Sequence, residues 1–155
     1  HASIKDIPSL VGMAKRHCGD APYRVLTVST DTAMGFDHIS SAIASAVAVQ
    51  NGASSITCVT RSEHIGLPTL EDIRESVYSA KIAAESGYRA RTEDYSRDYL
   101  VSLARKERGC FARSEGFLFQ SMLEKINNGE HKGKSCGMCG DFCPFLILDA
   151  LHSSK

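Results

Sequence analysis

The chain has 155 residues, with 18 basic side chains against 18 acidic ones and no formal net charge. That balance argues against a basic groove for nucleic acid, which needs clustered Lys and Arg. At 43% hydrophobic and 23% charged residues the chain is globular rather than disordered, its length suits one domain, and no apolar run approaches the roughly 20 residues that span a bilayer.

Chain order starts with a helix. From Ser3 to His17 the apolar positions Ile4, Ile7, Leu10, Val11 and Ala14 share one helical face, and Pro8 sets the start where a missing N–H costs little. No secretory leader is visible, and the opening at His1 rather than Met fits a processed or truncated start. Gly19, Asp20 and Pro22 stop the helix. Arg24 to Val28 reads as a short strand, and Asp37 to Gln50, small or aliphatic nearly all round, as a closely packed helix ended by Asn51-Gly52. Ser55 to Thr60 is a second strand, apolar on both faces as in a buried parallel sheet.

Thr69 to Asp72 then offers a capping box, and Ile73, Val77, Ala80 and Ala84 continue a helical face until Gly87. A charged stretch, Arg89 to Arg97, leads to a helix with Tyr99, Leu100, Leu103 and Ala104 on its apolar side. Phe117 to Ile126 reads as a further helix, and Asn127 to Ser135 as a polar linker. A cysteine cluster and a short apolar tail, Phe145 to Leu151, close the sequence. Alternating strands and helices mean βαβ units with a parallel sheet, hence an α/β fold. Two strands are too few for such a sheet, so the chain is expected to be a fragment, or else to be completed by another chain.

In barrel and doubly wound α/β folds, ligands sit at the carboxyl ends of the strands. Ser29, Thr30, Asp31 and then Asp37-His38 follow the first strand; Arg61, Glu63 and His64 follow the second. Two of them have a plain structural reading as well: Asp37 as a helix N-cap, His64 as a loop histidine bonded to backbone. His17, His131 and His152 lack a strand-end setting and read as solvated. Of six cysteines, Cys18, Cys58 and Cys110 are scattered, two of them in apolar surroundings where a thiol packs as a small hydrophobe.

Cys136, Cys139 and Cys143 carry the stronger signal. Their C-x2-C-x3-C spacing, with Gly137 and Gly140 allowing the backbone to turn, lets three thiolates converge on one centre. Three ligands to a 4Fe–4S cluster leave one iron open for a substrate or S-adenosylmethionine. Structural zinc, with His131 or His152 as fourth ligand, is the competing reading; a simple C-x-x-C redox pair is the third. Bunched cysteines without secretory features point to the reducing cytoplasm.

Several ordered motifs now combine. Cys18-Gly-Asp-Ala-Pro-Tyr23, Thr30-Asp31, Gly35-Phe-Asp-His-Ile-Ser-Ser-Ala-Ile43, Cys58-Val-Thr-Arg-Ser-Glu-His-Ile-Gly-Leu-Pro68, Glu71 to Glu75, Lys81 to Ala84 and the terminal Cys-x-Met-Cys-Gly resemble the phosphomethylpyrimidine synthase family of thiamine biosynthesis. The resemblance runs from His1 to about residue 105 and resumes at the cysteines. It implies the C-terminal part of a (β/α)8 barrel, followed by helices and a cysteine-rich cluster-binding arm. Residues 1–105 would be the last βα units of the barrel, 106–128 a helical extension, and 129–155 the linker and cluster tail.

The implied activity is a radical S-adenosylmethionine lyase that converts 5-aminoimidazole ribotide to hydroxymethylpyrimidine phosphate with a 4Fe–4S cluster. By the same resemblance Cys136, Cys139 and Cys143 are the cluster ligands, and His1 and His64 hold a divalent metal, zinc or iron. Tyr23 touches the ribotide if a one-residue gap precedes it. Two imidazoles need further ligands, which the sequence does not identify. The family is generally homodimeric, and no membrane or nucleic-acid partner is expected.

The departures are specific. The familiar bacterial form separates its last two cysteines by four residues, against three here, which looks more like archaeal or anaerobic members. Cys110 to Gly116 stands where the family has an aromatic Phe-Arg-Trp-Glu-Asp-Gln-Phe run, and Thr32-Ala33-Met34 replaces the usual Ile-Ala-Pro. These keep open a paralogous activity, 5-hydroxybenzimidazole synthase, which starts from the same ribotide. A non-catalytic zinc-binding domain is the alternative of another class. The fragment alone is expected to be inactive.

Overall fold

The structure, a computed structural model, describes residues 1–106, 118–119, 124, 138–139 and 142–153. Cys110, His131, Cys136 and the expected linker lie outside the described residues, as does most of the helix expected at 117–126. The chain forms two units, His1–Asp94 and Tyr95–Lys155.

In the first unit, helix α1 (Ile7–His17) carries Pro8 in its first turn and buries Ile7 and Val11. Gly19 and Asp20 both adopt positive φ (58° and 60°) as the helix ends, and the Asp20 N–H donates back to the Lys15 carbonyl at 2.8 Å. Strand β1 (Arg24–Val25) pairs in parallel with β2 (Ser55–Ile56), Arg24 opposite Ser55 and Val25 opposite Ile56. Helix α2 (Asp37–Gln50) makes the crossover, with the bounds expected from sequence. Ile7, Val11, Val25, Ala44, Ala48 and Ala53 form the core where α1, β1 and α2 meet.

Both strands are shorter than their sequences suggest. After Val28 the N–H groups of Ser29 and Thr30 donate to the hydroxyl of buried Ser40 on α2, each at 3.1 Å, which holds the segment leading to Asp31 against the helix. Burial is one-sided as well. Val25, Val28 and Val59 are buried, whereas Leu26 is 63% exposed and Cys58 lies at the surface. Cys18 is also exposed, so neither of these thiols is packed as a core hydrophobe.

Helix α3 (Leu70–Thr92) begins with the expected capping box: Thr69 Oγ1 accepts from the Asp72 N–H at 3.2 Å, and Asp72 Oδ2 accepts from the Thr69 N–H at 2.8 Å. Two expectations are corrected. The helix runs through Gly87 to Thr92, and its buried residues are Ser76, Ala83 and Gly87, while Ile73 and Val77 stay exposed. A Cβ on Gly87 would lie 2.4 Å from the Ala46 carbonyl oxygen and 2.7 Å from the Val49 Cβ. Glycine is therefore the contact point with α2. Close packing against small residues outweighs its helix penalty of about 1 kcal/mol.

In the second unit, α4 (Ser96–Lys106) buries Ala104 but leaves Tyr99 exposed. The expected apolar tail is a helix, α5 (Pro144–Ser153), opened by Pro144. The Arg105 guanidinium lies 5.5 Å from the Phe145 ring centroid. Among the described residues no helix is long and apolar enough to cross a membrane.

Candidate metal centre and cysteine motif

The carboxyl ends of β1 and β2 lead into the segments that carry Asp31, Asp37 and His64. There the chain brings His1, Asp31 and His64 together: one ligand atom from each lies within 4.8 Å of the others. His1 Nε2 is 3.2 Å from Asp31 Oδ1, and the His1 and His64 ring centroids are 5.7 Å apart. Two imidazoles and a carboxylate, all partly open to solvent, are a donor set that suits zinc or ferrous iron and leaves coordination positions free.

His64 is fixed from behind. Its Nδ1 lies 2.9 Å from Asp37 Oδ1, and the other carboxylate oxygen of Asp37 accepts the Gly35 N–H at 3.2 Å. Asp37 is fully buried. It is the first residue of α2, preceded by Phe36 at the N-cap with no side-chain cap, so the N-cap reading of Asp37 is corrected. The backbone-bonded reading of His64 gives way likewise to a carboxylate partner. Gly35, at φ +86°, supplies the turn that aims its N–H at this carboxylate.

The loop before α3 is anchored on the helix it enters. Arg61 pairs with Glu75 at 2.9 Å and approaches Asp72 at 3.8 Å, while Ser62 Oγ donates to Asp72 Oδ2 at 3.0 Å. The Thr69 backbone N–H, followed by its hydroxyl, holds the Asp72 carboxyl below the usual carboxylate range; Ser62 and Arg61 act the same way, and partial burial opposes them. Neighbouring His38 is buried, stacks on Phe36 with centroids 6.4 Å apart, and has no hydrogen-bond partner at Nδ1 among the described residues.

In the second unit Cys139 is an exposed thiol, and its carbonyl accepts the Phe142 N–H at 3.0 Å. Cys143 directly precedes α5, and its carbonyl accepts the Ile147 N–H at 3.1 Å.

Residues 1–150 match the Radical SAM ThiC family. The chain belongs to that family. It is 41% identical over 154 residues to the phosphomethylpyrimidine synthase of Carboxydothermus hydrogenoformans, covering 96% of this chain and 36% of that protein. To the phosphomethylpyrimidine synthase of Thermococcus gammatolerans it is 40% identical over 155 residues, 96% of this chain and 36% of the relative. The 5-hydroxybenzimidazole synthase of Desulforapulum autotrophicum is 36% identical over 147 residues, 92% of this chain and 34% of its own length. The chain thus spans about a third of the relatives it matches.

Set against the Radical SAM ThiC family, the residues named from sequence fall in separate places. His1 and His64 meet, joined by Asp31, which the sequence marks as a polar residue after a strand and as part of a family motif but not as a ligand. Its strand-end position was the available signal. Tyr23 immediately precedes β1, half-buried against the core cluster, so it stands at the strand end opposite to the one followed by Asp31. His17 and His152 are exposed, and His152 Nδ1 lies 2.7 Å from the Leu148 carbonyl oxygen.

Proposed function

We propose that the chain is part of a radical S-adenosylmethionine lyase that converts 5-aminoimidazole ribotide to hydroxymethylpyrimidine phosphate in thiamine biosynthesis. The observation that carries this reading is a match to the family over residues 1–150, with relatives at 40–41% identity that bear the phosphomethylpyrimidine synthase name. Cys136, Cys139 and Cys143 are assigned to a 4Fe–4S cluster and His1 and His64 to a divalent metal with Asp31 as a third donor; Tyr23, at the amino end of β1, is assigned to the ribotide by the family resemblance alone, not by its place in the fold. When bound, the cluster and S-adenosylmethionine supply the one-electron chemistry. The chain's own task is to present three thiolates, to hold a cation at the strand ends as an orienting Lewis acid, and to position the substrate.

The parallel β1–α2–β2 unit and the apolar side chains left open on it, Leu26 and Ile43 among them, support the last βα units of a (β/α)8 barrel over residues 1–105. Residues 106–128 are assigned to a helical extension and 129–155 to the linker and cluster arm. A homodimeric, cytoplasmic enzyme follows from the same family reading. The 36% identity to a 5-hydroxybenzimidazole synthase favours, as a second reading, that product from the same ribotide.

Anaerobic reconstitution of the full-length protein with iron and sulfide tests the assignment. Close to four irons per chain, with a paramagnetic signal in the reduced state perturbed by S-adenosylmethionine, is the expected result. Zinc alone with no sulfide taken up would overturn it in favour of a structural metal domain. Product analysis with the ribotide then separates pyrimidine from benzimidazole. The isolated 155 residues are expected to show no turnover, since about two thirds of the length of the relatives is missing.

A further inference from the structure

We propose that Asp37 is a positioning residue for His64: its buried carboxylate keeps the proton on Nδ1 and leaves Nε2 as the atom offered to a divalent cation. The inference rests on the reading of His64 as a metal ligand and adds to it the group that sets which ring nitrogen binds.

A fully buried carboxylate is costly unless donors surround it. Asp37 has one for each oxygen, the Gly35 N–H on Oδ2 at 3.2 Å and His64 Nδ1 opposite Oδ1 at 2.9 Å. An ionised carboxylate only accepts, so the ring nitrogen facing it must carry the hydrogen. That leaves the lone pair on Nε2. His64 comes from the loop after β2 and Asp37 from the start of α2, 27 residues earlier, so the contact joins the two strand ends. The His64 side chain is 34% exposed, which keeps part of its ring open while the Nδ1 edge is held. Metal-binding imidazoles characteristically donate their second N–H to such a carboxylate, which fixes ring orientation and raises basicity.

Asparagine at position 37 keeps the shape but cannot serve both donors. If its amide group faced His64, Nδ1 would have to accept and the proton would move to Nε2, blocking the ligand atom. If it faced Gly35 instead, two N–H groups would confront each other. Asp37→Asn therefore separates positioning from simple packing.

The test uses full-length protein labelled with 15N-histidine, the divalent cation removed by a chelator, at a pH where the imidazole is neutral. Two-bond proton–nitrogen correlation reports the tautomer of His64, assigned by its loss in His64→Ala, and titration with zinc alone reports affinity. The expected result is an Nδ1–H tautomer in the wild type, lost in Asp37→Asn together with roughly 10- to 100-fold of zinc affinity. Zinc binding undiminished in His64→Ala would overturn the ligand reading itself. Zinc binding lost in His64→Ala but unchanged in Asp37→Asn would overturn the role of Asp37 alone. An Nε2–H tautomer in the wild type would overturn it without any variant at position 37.

Discussion

His1 Nε2 and Asp31 Oδ1 are 3.2 Å apart, a spacing that serves a direct hydrogen bond or two ligands of one ion. Donors about 2.1 Å from a shared zinc or iron are separated by about 3.0 Å at a right angle and about 3.4 Å at the tetrahedral angle. Both side chains are at least half exposed, so a change at Asp31 perturbs the fold little. Asp31→Asn in the full-length protein is expected to lower zinc affinity at least about tenfold, or about 1.4 kcal/mol, with an unchanged melting temperature. Isothermal titration with zinc checks this, and equal affinity would reduce the contact to a plain hydrogen bond.

The thiolate assignment makes its own prediction. Cys139→Ala or Cys143→Ala is expected to abolish stoichiometric uptake of iron and sulfide on anaerobic reconstitution, while Cys18→Ala, an exposed cysteine outside the motif, leaves it intact. Iron and sulfide analysis of the three variants decides it. A full cluster in both motif variants would sink the assignment.

Gly87 is a packing residue rather than a helix stop. Gly87→Ala gains helix propensity of about 1 kcal/mol but drives a Cβ to 2.4 Å from backbone oxygen of Ala46, which cannot move aside as a side-chain tip would. Overpacking of this kind costs about 1–3 kcal/mol. A lowered thermal unfolding midpoint is expected; a raised one would mean that α2 and α3 separate at little cost.

The capping box carries a pH signature. Asp72 has a lowered pKa in the fold, owing first to the Thr69 backbone N–H, so it stabilises the protein above its unfolded value of about 4. That contribution fades as the pH falls through the lowered value. The stability difference between wild type and Asp72→Asn should therefore be constant near neutrality and shrink in acid, as read by denaturant titration at several pH values. A difference flat through the acid range would contradict the shift. Thr69→Ala is expected to cost about 1 kcal/mol through the lost cap.

By itself the sequence determined the local elements whose cause lies within a few neighbouring residues. Pro8, Asn51-Gly52 and the Thr69–Asp72 box mark helix ends through backbone geometry and capping bonds, and α2 has the expected bounds. The cysteine triplet was singled out by its spacing and His64 by its place after a strand, while His1 was named through the family resemblance alone. Tertiary structure decided everything that depends on a distant partner. Gly87 reads as a breaker until Ala46 is seen against it, and the segment after Val28 is held to α2 by Ser40, which takes the N–H groups of Ser29 and Thr30. Asp31 and Asp37 are both acidic residues after a strand in the sequence. Only the fold turns one toward His1 and buries the other behind His64, because periodicity records which face a residue occupies and not which side chain from another segment meets it there.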